Sequence, residues 1–155
     1  MSDPAALRQE EAAMANGSAV TITRVQAGRN AAIVESAYEA LNTHDIDALQ
    51  TLFHAHASWH TPGLSPIAGN RRGREAVCTQ FRRYGGETGG TFRANLLNVL
   101  ESEDGRVVSV HHTSAERPGR RLDVLCCIVF ELENGRIVIG REHFYDLYAW
   151  DRFWS

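Results

Sequence analysis

From Thr91 onward the chain alternates apolar and polar residues, and three short turn signals interrupt it: EDGR at 103–106, RPGR at 117–120 and ENGR at 133–136. Gly and Asn at these points supply the backbone conformations a tight reversal needs, so the pattern predicts four long strands joined as an antiparallel meander. Such a sheet has one apolar face that must be covered. The N-terminal half offers the cover. Ile33, Val34, Ala37, Tyr38 and Leu41 recur at helical spacing after Asn30, which can cap a helix ended by Asn42–His44. Asp45 can cap a second helix with Ile46, Leu49, Leu52 and Phe53 inward. Ala57–Thr61 reads as a strand stopped by Pro62, residues 62–71 as a loop, and Gly73–Tyr84 as a third helix with Val77, Phe81 and Tyr84 as its stripe. Helices first and strands after predict an α+β domain, three N-terminal helices packed in a curved, mostly antiparallel sheet that leaves a conical, ligand-sized hole. Residues 1–28 lack sustained periodicity and read as a tail, flexible or packed on a partner. Residues 29–155 read as one domain.

Composition narrows the chemistry. All 16 basic residues are Arg, which removes Schiff-base and phosphate-loop lysine chemistry. A net charge of −3 with scattered arginines argues against a nucleic-acid surface, and the pairs Arg71/Arg72, Arg82/Arg83 and Arg120/Arg121 read as solvated faces or turns. Cys78, Cys126 and Cys127 form no CxxC and no Cys-His cluster, so neither a disulfide framework nor a metal site is expected. With no membrane-length apolar run and a polar N-terminus, the expectation is a soluble cytoplasmic protein with no membrane partner.

The last strand concentrates the titratable groups. Simple alternation puts Ile137, Ile139, Arg141, His143 and Tyr145 on one face and Val138, Gly140, Glu142, Phe144 and Asp146 on the other. An Arg, a His and a Tyr in register suggest a cavity lining, or else the polar face of an edge strand meeting water.

AYEALNTHDIDALQTLFHAHASWHTPG, the GREAV helix, and the hairpins ending in ENGRI and HFYDLY resemble the nuclear transport factor 2-like (NTF2-like) superfamily. Within it they are most similar to the SnoaL-like group, relatives of ketosteroid isomerase and polyketide cyclases. The resemblance spans about residues 30–150 and implies the conical fold. It implies that Tyr38 occupies the seat of the tyrosine that donates to a developing enolate oxygen. The general-base Asp seat before the proline holds Thr61, and the second acid seat falls at about Ile128, so both isomerase carboxylates are absent. Against the epoxide-hydrolase branch, Arg121–Asp123 imitates an Arg-x-Asp spacing one strand too late. The matching seats hold His111 and Thr113, and the last-strand acid seat falls at His143.

Carried through in one register, the lining is Tyr38, Trp59, Thr61, His111, Thr113, Arg141, His143 and Tyr145 against Val124, Cys126 and Ile128, with His112 as the alternative to His111 if the register slips. His143, His111 and Tyr38 are the candidate catalytic groups, the two imidazoles dividing acid and base roles. Trp59, Thr61, Thr113, Cys126, Ile128, Arg141 and Tyr145 are candidate substrate contacts. Asp146 either caps the strand end or orients His143. The resulting expectation is a cofactor-independent isomerase, cyclase or dehydratase for a small apolar, oxygenated molecule. The alternative is a module that binds a hydrophobic ligand without turning it over. Val108, Val110, His112, Leu125, Cys127 and Val129 should form an apolar outer face, closed by a homodimer or by the N-terminal tail. Tyr148, Trp150, Phe153 and Trp154 should fold back as a lid or a dimer seam.

Overall fold

A computed structural model describes residues 28–155; the expected N-terminal tail, with its helical turn at Ala5–Met14, lies outside the described residues. In chain order the elements are α1 (Arg29–Asn42), α2 (Ile46–Leu52), β1 (Phe53–Thr61), β2 (Gly69–Arg72), α3 (Arg74–Glu87), β3 (Arg93–Glu101), β4 (Val107–Arg117), β5 (Arg120–Glu133), β6 (Arg136–Phe144) and α4 (Leu147–Trp154). They form an α+β domain with a six-stranded sheet ordered β2-β1-β6-β5-β4-β3. The sheet is mixed, because β1 runs parallel to β6 while every other pair is antiparallel.

Two expectations about the helices need correction. Among the described residues three helices precede the meander, with the expected strand β1 between the second and third, but a further strand, β2, follows β1 and a fourth helix follows the sheet. Strand β2, GNRR, was hidden because a glycine and three polar residues at a sheet edge carry no alternation to read. Asn30 is not the cap of α1 either. The helix starts one residue earlier, the Glu101 carboxylate on β3 accepts from Ala31 N at 2.7 Å, and Asn30 Nδ2 donates to Gly105 O at 2.8 Å. A tertiary carboxylate thus satisfies the helix start that a local side chain was expected to cap. Asp45 does cap α2, accepting from Ala48 N at 2.9 Å.

The meander has the expected turns, and β4 and β5 alternate cleanly along their length, with Val107, Ser109, His111, Thr113, Leu122, Val124, Cys126 and Ile128 buried. Their other face carries Val108, Val110, Cys127 and Val129, only partly buried, and Leu125, 43 % exposed; on neighbouring β3, Leu97 and Leu100 are also exposed. We expect a homodimer closed through this face, because an apolar sheet surface of this extent is unfavourable in water. Light scattering that shows a monomer at micromolar concentration would overturn it.

Helix α4 folds back and buries Trp150, Phe153 and Trp154, while Tyr148 stays exposed. Trp150 stacks on Phe144 at 3.9 Å and, with Trp154, backs Tyr84 of α3. Arg117 reaches over the Phe153 and Trp154 rings and donates to Phe153 O at 2.7 Å. Truncating one buried aromatic typically costs about 3–5 kcal/mol. Deleting residues 148–155 should therefore lower the melting temperature sharply and expose dye-binding surface; unchanged melting would overturn this. No helix among the described residues is long and apolar enough to cross a membrane.

Candidate active site

The helices and the concave face of the sheet enclose a cavity of about 30 Å³, room for a water or two. Its wall is mostly aromatic: Phe53 and Trp59 from β1, Phe81 and Tyr84 from α3, Phe92, and Phe130 from β5. Trp59 packs edge-on against Phe81 at 4.9 Å and Phe130 at 5.9 Å. Four polar side chains interrupt the wall: Tyr38, His111, Tyr84 and Glu142.

Glu142 reaches the cavity through a bulge in β6. Ile137 pairs with Leu132 and Ile139 with Glu131, so Val138 is an extra residue. Ile137 points inward ahead of the bulge; beyond it Gly140 and Glu142 do. One inserted residue reverses the parity of everything after it. This corrects the last-strand reading. His143 is exposed, Arg141 pairs with Glu131 at 2.7 Å on the outer side, and Tyr145 is 89 % exposed, so none of the three enters the cavity. The inward acid seat on the last strand is filled by Glu142 instead of His143. Asp146 does not orient His143 into a site; its carboxylate caps α4 by accepting from Ala149 N at 2.9 Å.

The other predicted positions face inward. Tyr38, Trp59, Thr61, His111, Thr113, Cys126 and Ile128 are all at most 5 % exposed. Tyr38, Trp59, His111 and Ile128 line the cavity, whereas Thr61, Thr113 and Cys126 sit outside its wall. His112 faces outward and pairs with Asp123. Residues not anticipated at the site include Glu142, Tyr84, Phe81, Phe53, Phe92 and Phe130. The one local signal for Glu142 was Gly140, since an isolated glycine inside a strand marks a bulge or a close approach. Gly140 pairs with Trp59, and a Cβ there would lie 2.2 Å from the indole. Replacing Gly140 by Ala should cost about 1–3 kcal/mol through overpacking and shift the Trp59 fluorescence, which denaturant melts and emission spectra would check.

Two hydrogen-bonded groups result. In the first, the Tyr38 hydroxyl lies 2.6 Å from His111 Nδ1 and 2.7 Å from Ser109 Oγ. Burial, with a smaller contribution from His112, lowers the His111 pKa from 6.5 to about 4, so the ring is neutral at physiological pH. Burial also raises the Tyr38 hydroxyl pKa, against the bond to Ser109. In the second, Thr61 Oγ1 donates to Glu142 Oε2 at 2.7 Å. Burial raises the Glu142 carboxyl from 4.5 to about 7, against the hydrogen bond from Thr61. The Trp59 indole N–H itself has no hydrogen-bond acceptor. Cys126 is a buried thiol whose pKa is raised, chiefly by burial, which suits a small hydrophobe and not a nucleophile.

Register places the two groups on one row. Ser109 pairs with Ile128, and Ile128 with Glu142. At about 4.8 Å per strand, the backbones that carry the Tyr38 cluster and the carboxyl stand roughly 10 Å apart, with Ile128 between them. The row thus sets a proton acceptor and a hydrogen-bond donor on either side of one apolar residue. Among the described residues, no three His, Cys, Asp or Glu side chains converge as a metal site.

Known proteins share the fold and the family. Bal32a from a soil-derived mobile gene cassette is 62 % identical, with a TM-score of 0.81 over 82 % of this chain and 97 % of its own. An NTF2-like protein of unknown function from Burkholderia pseudomallei K96243 is 21 % identical, with a TM-score of 0.72 over 83 % of this chain and 98 % of its own, a likeness of fold alone. Epoxide hydrolase EphG of Mycobacterium tuberculosis (strain ATCC 25618 / H37Rv) is 30 % identical over 118 residues, 74 % of either chain. Residues 34–139, from the middle of α1 to the bulge of β6, match the SnoaL-like domain, and the chain belongs to that family.

Proposed function

We propose that the protein is a cofactor-independent acid/base enzyme of the isomerase, cyclase or dehydratase type, with Glu142 as its base and a small, uncharged, oxygenated molecule as its substrate. The observation that carries this reading is the buried carboxyl in an aromatic cavity, its pKa near neutrality, on the same row as the Tyr38–Ser109 cluster. A base with a pKa near the working pH combines a useful ionised fraction with useful basicity. Among the described residues no arginine lines the cavity, so an anionic substrate would find no counter-charge from them there. Neutral His111, accepting from Tyr38 at Nδ1, keeps its proton on Nε2 and can offer that N–H to the substrate oxygen on which charge develops. Tyr38 then positions the imidazole, with Ser109 behind it.

A second reading is favoured by the likeness to epoxide hydrolase EphG: the same carboxylate takes a proton from water while His111 donates to an epoxide oxygen. Assaying epoxides, α,β-unsaturated ketones and enolisable ketones in deuterated water separates the readings. Deuterium at carbon identifies carbon-acid chemistry, and diol formation identifies hydrolysis. Ligand binding with no turnover across the panel would overturn both and identify a binding module.

A further inference from the structure

The cavity is too small for the chemistry assigned to it. At about 30 Å³ it has room for a water or two, whereas a cavity of about 150 Å³ is what admits benzene. A wall must therefore move before an organic substrate is seated. Most of the wall is pinned. Trp59 fills the space over Gly140, and Tyr84 is bonded by Gln80 and backed by Trp150 and Trp154. Phe130 belongs to β5, which is hydrogen-bonded to a strand on either side.

Phe81 is different. Its ring meets Phe53, Trp59 and Tyr84 in the cavity wall, and it also lines a surface hollow of about 260 Å³ between the α1–α2 turn, the start of α2 and the C-terminal end of α3. The hollow is otherwise formed by His44, Ile46, Arg82, Gly85, Gly86 and Gly90, none of which borders the cavity. Glycines leave this space unfilled: a Cβ at Gly86 or Gly90 would meet nothing within 4 Å. Polar contacts hold its rim, since Arg93 Nη1 donates to Gly90 O at 2.8 Å and lies 3.0 Å from His44 Nε2. Phe81, itself 4 % exposed, thus stands between the cavity and an unfilled recess.

We propose that Phe81 is the gate and size filter of the substrate site: its ring turns into the hollow, the vacated space joins the cavity, and the substrate enters past Ile46. This rests on the reading of the cavity as the substrate site and adds the class of molecule it takes. That class is a neutral compound with an apolar body about the size of one ring, its oxygen toward His111 and any longer chain trailing into the hollow. A side-chain rotation breaks no backbone hydrogen bond, so it costs less than displacing a strand or α4.

Stopped-flow mixing of the full chain with acetophenone, a neutral one-ring ketone, measures entry through the quenching of tryptophan fluorescence. Saturable uptake is expected in the wild type. Ile46→Phe and Gly86→Leu fill the hollow from either side and should each slow association by about 10-fold or more, whereas Phe81→Leu should speed it. Leu64→Ala, at a position 97 % exposed outside both spaces, should behave as wild type. No saturable uptake by the wild type, wild-type rates in both hollow-filling variants, or equal slowing by Leu64→Ala would overturn the proposal. Should one hollow-filling variant melt below wild type, the other carries the comparison. Entry is measured without turnover, so the gate and the catalytic reading fail separately. Gated uptake with no turnover of any substrate keeps the gate and overturns the catalytic reading; turnover at rates that hollow-filling leaves unchanged overturns the gate alone.

Discussion

Replacing Glu142 by Gln lowers turnover by about 10²-fold or more, the usual scale for loss of a general base, while the fold persists. The amide keeps the volume of the carboxyl, and its oxygen can still accept from Thr61 Oγ1, so the packing of Trp59, Tyr84 and Phe130 around it is preserved. Only the proton acceptor is lost. In the wild type, kcat/KM should rise with pH through about 7, where the carboxyl ionises. That limb should disappear in the variant. His143→Asn is the informative control, because His143 stands on the outer face and its loss should leave turnover unchanged. Wild-type rates from the Glu142 variant with any substrate it accepts would overturn the assignment. A large loss in the His143 variant would show that the outer face takes part in the chemistry.

Opposed pH dependences of stability are the second large effect. Glu142 has its folded pKa raised from 4.5 to about 7. Its contribution is fully present below pH 4.5 and is lost as pH rises through 7. His111 has its folded pKa lowered from 6.5 to about 4, so its contribution is present above pH 6.5 and is lost as pH falls through 4. At roughly 1.4 kcal/mol per pH unit, each amounts to on the order of 3 kcal/mol. Between pH 4.5 and 6.5 the two slopes oppose and nearly cancel. Removing one group uncovers the other. Relative to wild type, Glu142→Gln should gain on the order of 3 kcal/mol between pH 4.5 and 7.5, and His111→Asn should lose about as much between pH 4 and 6.5. Urea unfolding at a series of pH values measures both. Parallel curves for the three proteins would mean that neither group is buried in the ionisation state described.

A joint consequence concerns how the cavity tolerates its own base. At neutral pH a carboxyl with a pKa near 7 is about half ionised, so the apolar wall does not have to accommodate a full buried charge. A substrate that hydrogen-bonds the carboxylate would favour the ionised form. One that merely fills the space with apolar surface would favour the neutral acid.

Alternation is a property of the local chain, and where it runs unbroken the sequence alone determined which side chains share a face, while His111 rather than His112 as the inward one was decided by the fold. On β4 and β5 the hairpin turns and strict two-residue repeat grouped His111, Thr113, Val124, Cys126 and Ile128 on one face, and helical spacing grouped Tyr38 with the inward stripe of α1. The family was also legible, since it rests on an order of helices and hairpins that short-range signals specify. The last strand was different. Ile137, Val138 and Ile139 are three β-branched residues with nothing in their chemistry to say which one is extra; that is settled by what the strand pairs with. Here β6 is flanked by antiparallel β5 and parallel β1, and Trp59 on β1 needs a residue without a Cβ opposite it. Gly140 meets that need only if it faces inward, and the bulge at Val138 turns it there. The same turn brings Glu142 into the cavity and puts His143 in solvent. A contact between residues 81 positions apart, Thr61 with Glu142, thus decided the identity of the proposed base, because parity beyond a bulge depends on partners that the strand's own residues do not encode.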